Sequence, residues 1–158
     1  MGGEIAQSHE WSHDHELDWD LLEYAPHKGV QILVRDLNRL YAQIPALYEI
    51  DFSADGFEWI DFEDRESSIL AWLRRDLSGR VVFCVSNFTP VVRENYRLGV
   101  PEYHDCSELL NTDDLRYGGS GIMNSDVLVE KTGAHGRPFS IRLCLPPLAT
   151  IILGETLS

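Results

Sequence analysis

The stretch "SILAWLRRDLSGRVVFCVSNFT", residues 68–89, decides the fold. Its two arms, Ser68 to Arg75 and Val81 to Thr89, are rich in aliphatic, β-branched and aromatic residues. Between them "DLSGR", Asp76 to Arg80, carries the small polar residues of a turn. That pattern predicts a β-hairpin. Working toward the C-terminus, short apolar runs alternate with turn signals. "VVRENYRLGV" and "HDCSELLN" are followed by the Gly- and Asn-rich loop "LRYGGSGIMNSD". Then come "VLVEK", a turn at "TGAHGR", "FSIRLCL", a break at Pro146-Pro147, and "LATIIL". From about Phe57 onward this makes roughly seven or eight strands with no helical pattern between them, which predicts an antiparallel β-sandwich.

Working toward the N-terminus, the period changes. In "HKGVQILVRDLNRLYAQI" the apolar residues Val30, Leu33, Val34, Leu37, Leu40, Tyr41 and Ile44 recur at spacings of three and four. They form one helical stripe, closed by Pro45. Burying such a stripe contributes about 10–20 kcal/mol gross, at ~1.5–3 per large side chain. A helix cannot bury its own stripe, so this one caps an open sheet face or seats against polypeptide outside the chain. Before it, residues 1–27 read as loop, holding Trp11, Trp19, four of the six histidines and many carboxylates.

The bulk numbers narrow the field. A chain of 158 residues with 44% apolar residues is one folded domain, or one domain with a piece of another. A net charge of −13 repels phosphate backbones and anionic lipid heads, so nucleic acid and membrane are poor partners, while neutral ligands such as sugars stay open. Cys84, Cys106 and Cys144 are odd in number and far apart. They imply no disulfide framework and no CxxC metal site, and point to reduced thiols in a cytoplasm. No run is apolar for long enough to span a bilayer, and the N-terminus lacks the basic and apolar regions of a signal peptide. "MGGEIA" has Ala6 where a myristoylation start has Ser or Thr. A Gly-Gly turn leading straight into a Trp- and His-rich loop reads as the middle of a longer chain.

His9-Glu10-Trp11-Ser12-His13 matches the H-E-x-x-H pattern of zinc metalloproteases. That pattern works only on a helix, where two histidines four apart grip one metal and the glutamate serves as base. Its flanks, "MGGEIAQS" and "DHELDWD", carry no helical stripe, and Glu16 and Trp19 stand where a metzincin needs Gly and His. A polar loop without metal is the expectation. "YGGSG", Tyr117 to Gly121, has the glycines of a phosphate cradle without the helix that completes one, and reads as a turn. Trp59, Trp72, Cys84 and Cys144 fall in strand patterns and are expected in the sandwich core. His104 and His135 fall in turns with no partner legible.

Several segments, taken in order, carry a resemblance. They are "MGGE" (1–4), "EWSHD" (10–14), "LDWDLL" (17–22) and "GVQILVRDLNRLY" (29–41), then "PALYEID", "GFEWID", "NFTPVVRENYRLGVP", "LNTD", "YGGSG", "HGR" and "LPPLATIIL". The chain resembles the C-terminal end of the bacterial 1,4-alpha-glucan (glycogen) branching enzymes of the alpha-amylase superfamily. The resemblance covers nearly the whole chain. Its loop pattern is Glu-Trp-x-His-Asp, here Glu10, Trp11, His13 and Asp14, and His9 lies outside it.

The resemblance implies a (β/α)8 catalytic barrel followed by an all-β C-terminal domain. Residues 1–44 would be the end of that barrel: "MGGE" at the exit of the eighth strand, residues 5–27 the last βα loop, and Val30 to Ile44 the last helix. Residues 45–158 would be the all-β domain. The last loop would lie on the catalytic face. The implied reaction cleaves an alpha-1,4-glucan and transfers it to a glucan 6-hydroxyl, needs no cofactor, and belongs to glycogen synthesis in the cytoplasm. The family's catalytic carboxylates lie in earlier strand-end motifs that this chain does not contain, so no catalytic residue is assigned and the isolated chain is expected to be inactive. Glu4, Glu10, Trp11, His13, Asp14 and Trp19 are the candidates for glucan contact. Indoles stack on pyranose faces and the polar groups can bond hydroxyls; the other reading is that Trp19 is core and His13-Asp14 buttresses the loop.

A stand-alone carbohydrate-binding β-sandwich is the alternative function, and a glucan hydrolase or debranching enzyme is another within the superfamily. A stand-alone module must bury Leu33, Leu37 and Leu40 within its own fold. A fragment would leave them exposed, waiting for the barrel as partner.

Overall fold

The computed structural model describes residues 1–101 and 106–155, so His104 and the start of "HDCSELLN" lie outside the described residues. The hairpin that opened the sequence reading is β2 (Ile69–Arg75) and β3 (Val81–Asn87), paired antiparallel from Ile69 opposite Asn87 to Arg75 opposite Val81. Its turn is organised by Asp76. One carboxylate oxygen accepts from Ser78 N, Ser78 Oγ and Arg80 N at 2.9, 2.6 and 3.0 Å, and Gly79 supplies the positive φ of 87°.

The other strands are β1 (Phe57–Asp61), β4 (Arg93–Val100), β5 (Ser107–Asn111), β6 (Val129–Glu130), β7 (Phe139–Leu145) and β8 (Ala149–Gly154). They form a five-stranded sheet in the order β1-β2-β3-β8-β5 and a three-stranded sheet in the order β4-β7-β6, with every pairing antiparallel. The core between the sheets is built by period-two alternation: Ala71 and Leu73, Phe83 and Val85, and Ile151 and Leu153 from one sheet, Leu98, Ile141 and Leu143 from the other. This is the expected mainly-β antiparallel sandwich. At one edge Glu58 of β1 accepts from Arg75 at 2.7 Å and from Arg137, so the "HGR" turn clips onto the five-stranded sheet.

The one long helix among the described residues, α1, runs Ala25–Gln43. It starts five residues before the apolar stripe because its first turn is set by Pro26, whose missing N–H costs nothing there. It ends at Ile44, before Pro45. Leu40 and Ile44 are buried, and Leu33 and Leu37 half-buried, against Val82, Cys84, Leu110 and Ile152 on the outer face of the five-stranded sheet. The exposure expected of these leucines in a fragment is therefore not found. Their stripe meets the chain's own sheet, while Tyr41 on its margin stays exposed.

Two further expectations are corrected. Trp59 is 44% exposed and Trp72 half-buried, because they pair across β1 and β2 with their side chains on the outer face, opposite Ile60, Ala71 and Leu73. Alternation shows that strand residues divide between two faces without showing which face is inside. Cys144 likewise lies on the outer face of the smaller sheet, half-buried. Cys84 is buried as expected, but beneath α1, where burial pushes its thiol up to about 12. His135 has partners: its Nδ1 accepts from Gly99 N at 3.1 Å, which leaves Nε2 to donate to Asp61 at 3.4 Å.

The Gly-rich loop folds on a carboxylate of its own. Asp113 is buried, and its oxygens accept from Ser120 N, Ser120 Oγ and Ile122 N at 2.9, 2.6 and 2.9 Å. An anion cradle is present, and the chain has filled it. Burial, the largest influence on Asp113, raises its pKa, but these bonds together outweigh it and hold the acid below its ordinary value near 3.8. Tyr117 of the same loop donates to Asp36 of α1 at 3.0 Å. Gly29 of α1 lies so close to the loop that a Cβ there would meet Tyr117 O at 2.6 Å.

Two measurements follow from this packing. Gly29→Ala is expected to destabilise by about 1–3 kcal/mol, although alanine is the better helix former, because the loop backbone must move. Asn38→Ala on the exposed side of α1 is expected to be neutral or slightly stabilising; urea unfolding compares the two. Asp113→Asn is expected to cost about 1–3 kcal/mol at neutral pH by leaving buried donors unpaired. Because the folded-state pKa is depressed, the stabilisation is full above the ordinary value near 3.8 and is lost as pH falls through the folded value. The gap between parent and variant should therefore close in acid.

Candidate functional site

The N-terminal segment is a loop pinched at its neck. Gly2, at φ 90°, leaves room for Gln7, whose N–H donates to Gly2 O at 3.0 Å. Gln7 then holds both sides of the neck: Oε1 accepts from Asp18 N at 3.1 Å and Nε2 donates to His9 O at 3.3 Å. The His9 ring meets Asp18 at 3.3 Å. A short 3-10 turn at Gly3–Ile5 buries Ile5, and His27 of α1 donates from Nδ1 to Ile5 O at 2.8 Å. A second 3-10 turn, Trp19–Glu23, leads into α1. The loop is thus fixed at its base to the helix, and its tip is free.

The six candidate residues divide among three places. Glu10 and Trp11 line a hollow of about 280 Å³ together with His9, His15, Glu16 and Asp18, and Trp11 is 45% exposed. Glu4 and Trp19 line another, of about 330 Å³, with Ile5, Leu17 and Gln31. Glu4 also accepts from Gly2 N at 3.1 Å. Trp19 is 54% exposed, so the reading of Trp19 as a core residue fails. His13 and Asp14 pair with each other at 3.3 Å, stand in solvent, and line neither hollow. Each hollow therefore combines an open indole with a carboxylate, a pairing that suits a neutral polyhydroxyl ligand.

Sequence reading missed Gln7, His9 and Asp18 as the neck, and Leu17 and Gln31 as hollow walls. The neck joins positions 11 residues apart through one side chain, and no spacing rule announces that. His9 carried a signal, but as part of a zinc pattern. No helix forms over His9–His13, so the geometry that pattern needs is absent. Among the described residues no group of three or more His, Cys, Asp or Glu side chains could hold a metal ion. None of their helices is long and apolar enough to cross a membrane.

A two-sheet antiparallel sandwich preceded by one amphipathic helix and a Trp-rich loop defines a class. The chain belongs to the family of alpha amylase C-terminal all-beta domains, whose model matches residues 59–155. More particularly, it is similar to 1,4-alpha-glucan branching enzymes GlgB. It is 53% identical over 154 residues to that of Rubrobacter xylanophilus and 53% identical over 156 residues to that of Cupriavidus pinatubonensis. With that of Aquifex aeolicus the identity is 50% over 155 residues. Each match takes in 97% of this chain but only 21%, 21% and 25% of the relative. The chain thus spans about a fifth to a quarter of the length of the curated relatives it matches, and is homologous to their C-terminal region.

Proposed function

We propose that this chain serves as the C-terminal part of a 1,4-alpha-glucan branching transferase of cytoplasmic glycogen synthesis. The observation that carries the reading is identity of 50–53% along 97% of the chain, N-terminal loop included, to enzymes of that name. In this reading residues 1–44 are the last loop and helix of a (β/α)8 barrel, and residues 45–158 are the all-β domain.

The reaction is that of a retaining glycosidase working as a transferase. A carboxylate attacks C1 of an alpha-1,4-glucan while a second carboxyl protonates the departing 4-oxygen. That second group then takes the proton of an acceptor 6-hydroxyl, whose oxygen attacks C1 and releases the nucleophile. Both carboxylates belong to barrel sequence outside this chain. Here Trp11 and Trp19 offer faces for stacking, and Glu4 and Glu10 offer acceptors for sugar hydroxyls beside them. His13 and Asp14, set at the free tip, would meet glucan at its outer edge.

One observation favours a second reading, a stand-alone carbohydrate-binding module. Leu40 and Ile44 are buried within the chain's own fold, as a self-sufficient domain requires. The two readings separate in a graft, in which this chain replaces the matching region of the Rubrobacter xylanophilus enzyme.

The isolated chain is expected to form no branches in an iodine-staining or debranching assay; branch formation by the pure chain would overturn the reading. The graft is expected to branch glucan. In it, Trp11→Ala and Trp19→Ala should each raise KM roughly two- to tenfold, the loss of about 0.5–1.5 kcal/mol of stacking, with kcat less affected. Unchanged KM in both would remove the indoles from the glucan site.

A further inference from the structure

The stretch that carries Trp11 has little support of its own. Among the described residues, no backbone group from Ser8 to Glu16 bonds another backbone group. Inside the stretch, Asp14 N donates to Ser12 Oγ at 3.2 Å and His13 meets Asp14. Two polar links among the described residues join it to the chain outside: Gln7 Nε2 donates to His9 O, and the His9 ring meets Asp18. The second is weak, because the His9 and Asp18 side chains are 82% and 37% exposed and water competes for both.

The first link belongs to an amide that acts at both ends of the stretch. While Gln7 Nε2 holds the entry at His9 O, Gln7 Oε1 takes Asp18 N at the exit. The residue type matters, because one head must donate on one side and accept on the other. A carboxylate only accepts, and among Glu10, Asp14, Glu16 and Asp18 it would add like charge. The backbone before the amide is shaped to hold it. Ala6, at φ 52°, occupies the left-handed region that alanine enters at a cost, and Gly2 has no side chain where one would meet Gln7 Oε1, Cβ and Cδ at 3.0, 3.1 and 3.1 Å. The Gln7 side chain also lines the hollow of Glu10 and Trp11.

Resting on the branching-enzyme reading, we propose that Gln7 is a positioning residue for glucan. Its amide holds the stretch closed at His9 and Asp18, so that Trp11 is presented as a fixed face before glucan arrives. Glucan then gains stacking on the indole without first having to order the loop. With the amide gone, the weak His9–Asp18 contact is left to hold the entry and exit together, and part of the binding free energy goes into closing the loop.

Gln7→Glu in the graft tests this, since it keeps the shape and the acceptor and removes the donor. KM should rise roughly two- to fivefold with kcat within about twofold, as the loss of one net hydrogen bond gives. With Trp11→Ala already present, the same substitution should change KM by less than about 1.5-fold, because the face it positions is gone. An active graft whose KM ignores Gln7→Glu overturns the proposal. So does a rise of equal size with and without Trp11, which would make Gln7 a glucan contact in its own right. Gln7→Met, which keeps the length and removes both bonds, should behave as Gln7→Glu does. A second measurement needs no activity. In the isolated chain labelled with 5-fluorotryptophan, the fluorine resonance of Trp11, assigned through Trp11→Phe, should move and narrow in both variants while those of Trp59 and Trp72 stay in place. An unmoved Trp11 resonance overturns the proposal. A folded but inactive parent graft sinks the branching reading, and the Trp11 resonance then decides by itself whether Gln7 orders the loop.

Discussion

The structure depends on β3 being buried at every position from Val81 to Asn87. A strand dry on both sides needs a cover on both sides of its sheet. Val81, Phe83 and Val85 are met by the smaller sheet, through Leu98, Ile141 and Leu143. Val82 and Cys84 are met by Leu40, Ile44 and Ala46. The second cover is a helix rather than a third sheet, and its sequence follows from that duty: a stripe wide enough to span three strands, with glycine where the loop crosses close. The polar residues of β3 obey the same rule. Asn87 is buried and fully used, donating to Val91 O and Pro146 O and accepting from Thr89 N and Oγ1.

Much of this was legible in the sequence, and the gaps have physical causes. The strands and the hairpin showed because period-two alternation and turn chemistry are local. The helix showed because its stripe is strong, but its start did not, since the first turn is written in proline rather than in apolar residues. The fate of Trp59 and Trp72 was hidden because alternation assigns residues to faces and is silent about what covers each face. The Asp113 loop showed only as glycines. That those glycines wrap an internal carboxylate could be learned only once Asp113, Ser120 and Ile122 were brought together.

The candidate site divides in the same way. Its residue types were readable, because indoles beside carboxylates in a polar loop are uncommon enough to notice. Their grouping was not. Glu10 goes with Trp11 and Glu4 with Trp19, while His13 and Asp14 keep to themselves at the tip. Gln7 ties the two ends of the loop together through Asp18 N and itself lines the hollow of Glu10 and Trp11. The similarity to the branching enzymes runs through the loop that builds the hollows, since it takes in 97% of this chain.

α1 is a wall shared between the sandwich and the Trp-rich loop. A cut in the chain after Ile44 would separate stretches of sequence, but it would also strip the cover from Val82, Cys84 and Ile152. The unit that recombination can move between related genes is therefore longer than the all-β domain alone. A crossover leaves the wall intact only if it falls upstream of Ala25, so the helix and the sheet it shelters are inherited together, and a change of volume on one side must be answered on the other.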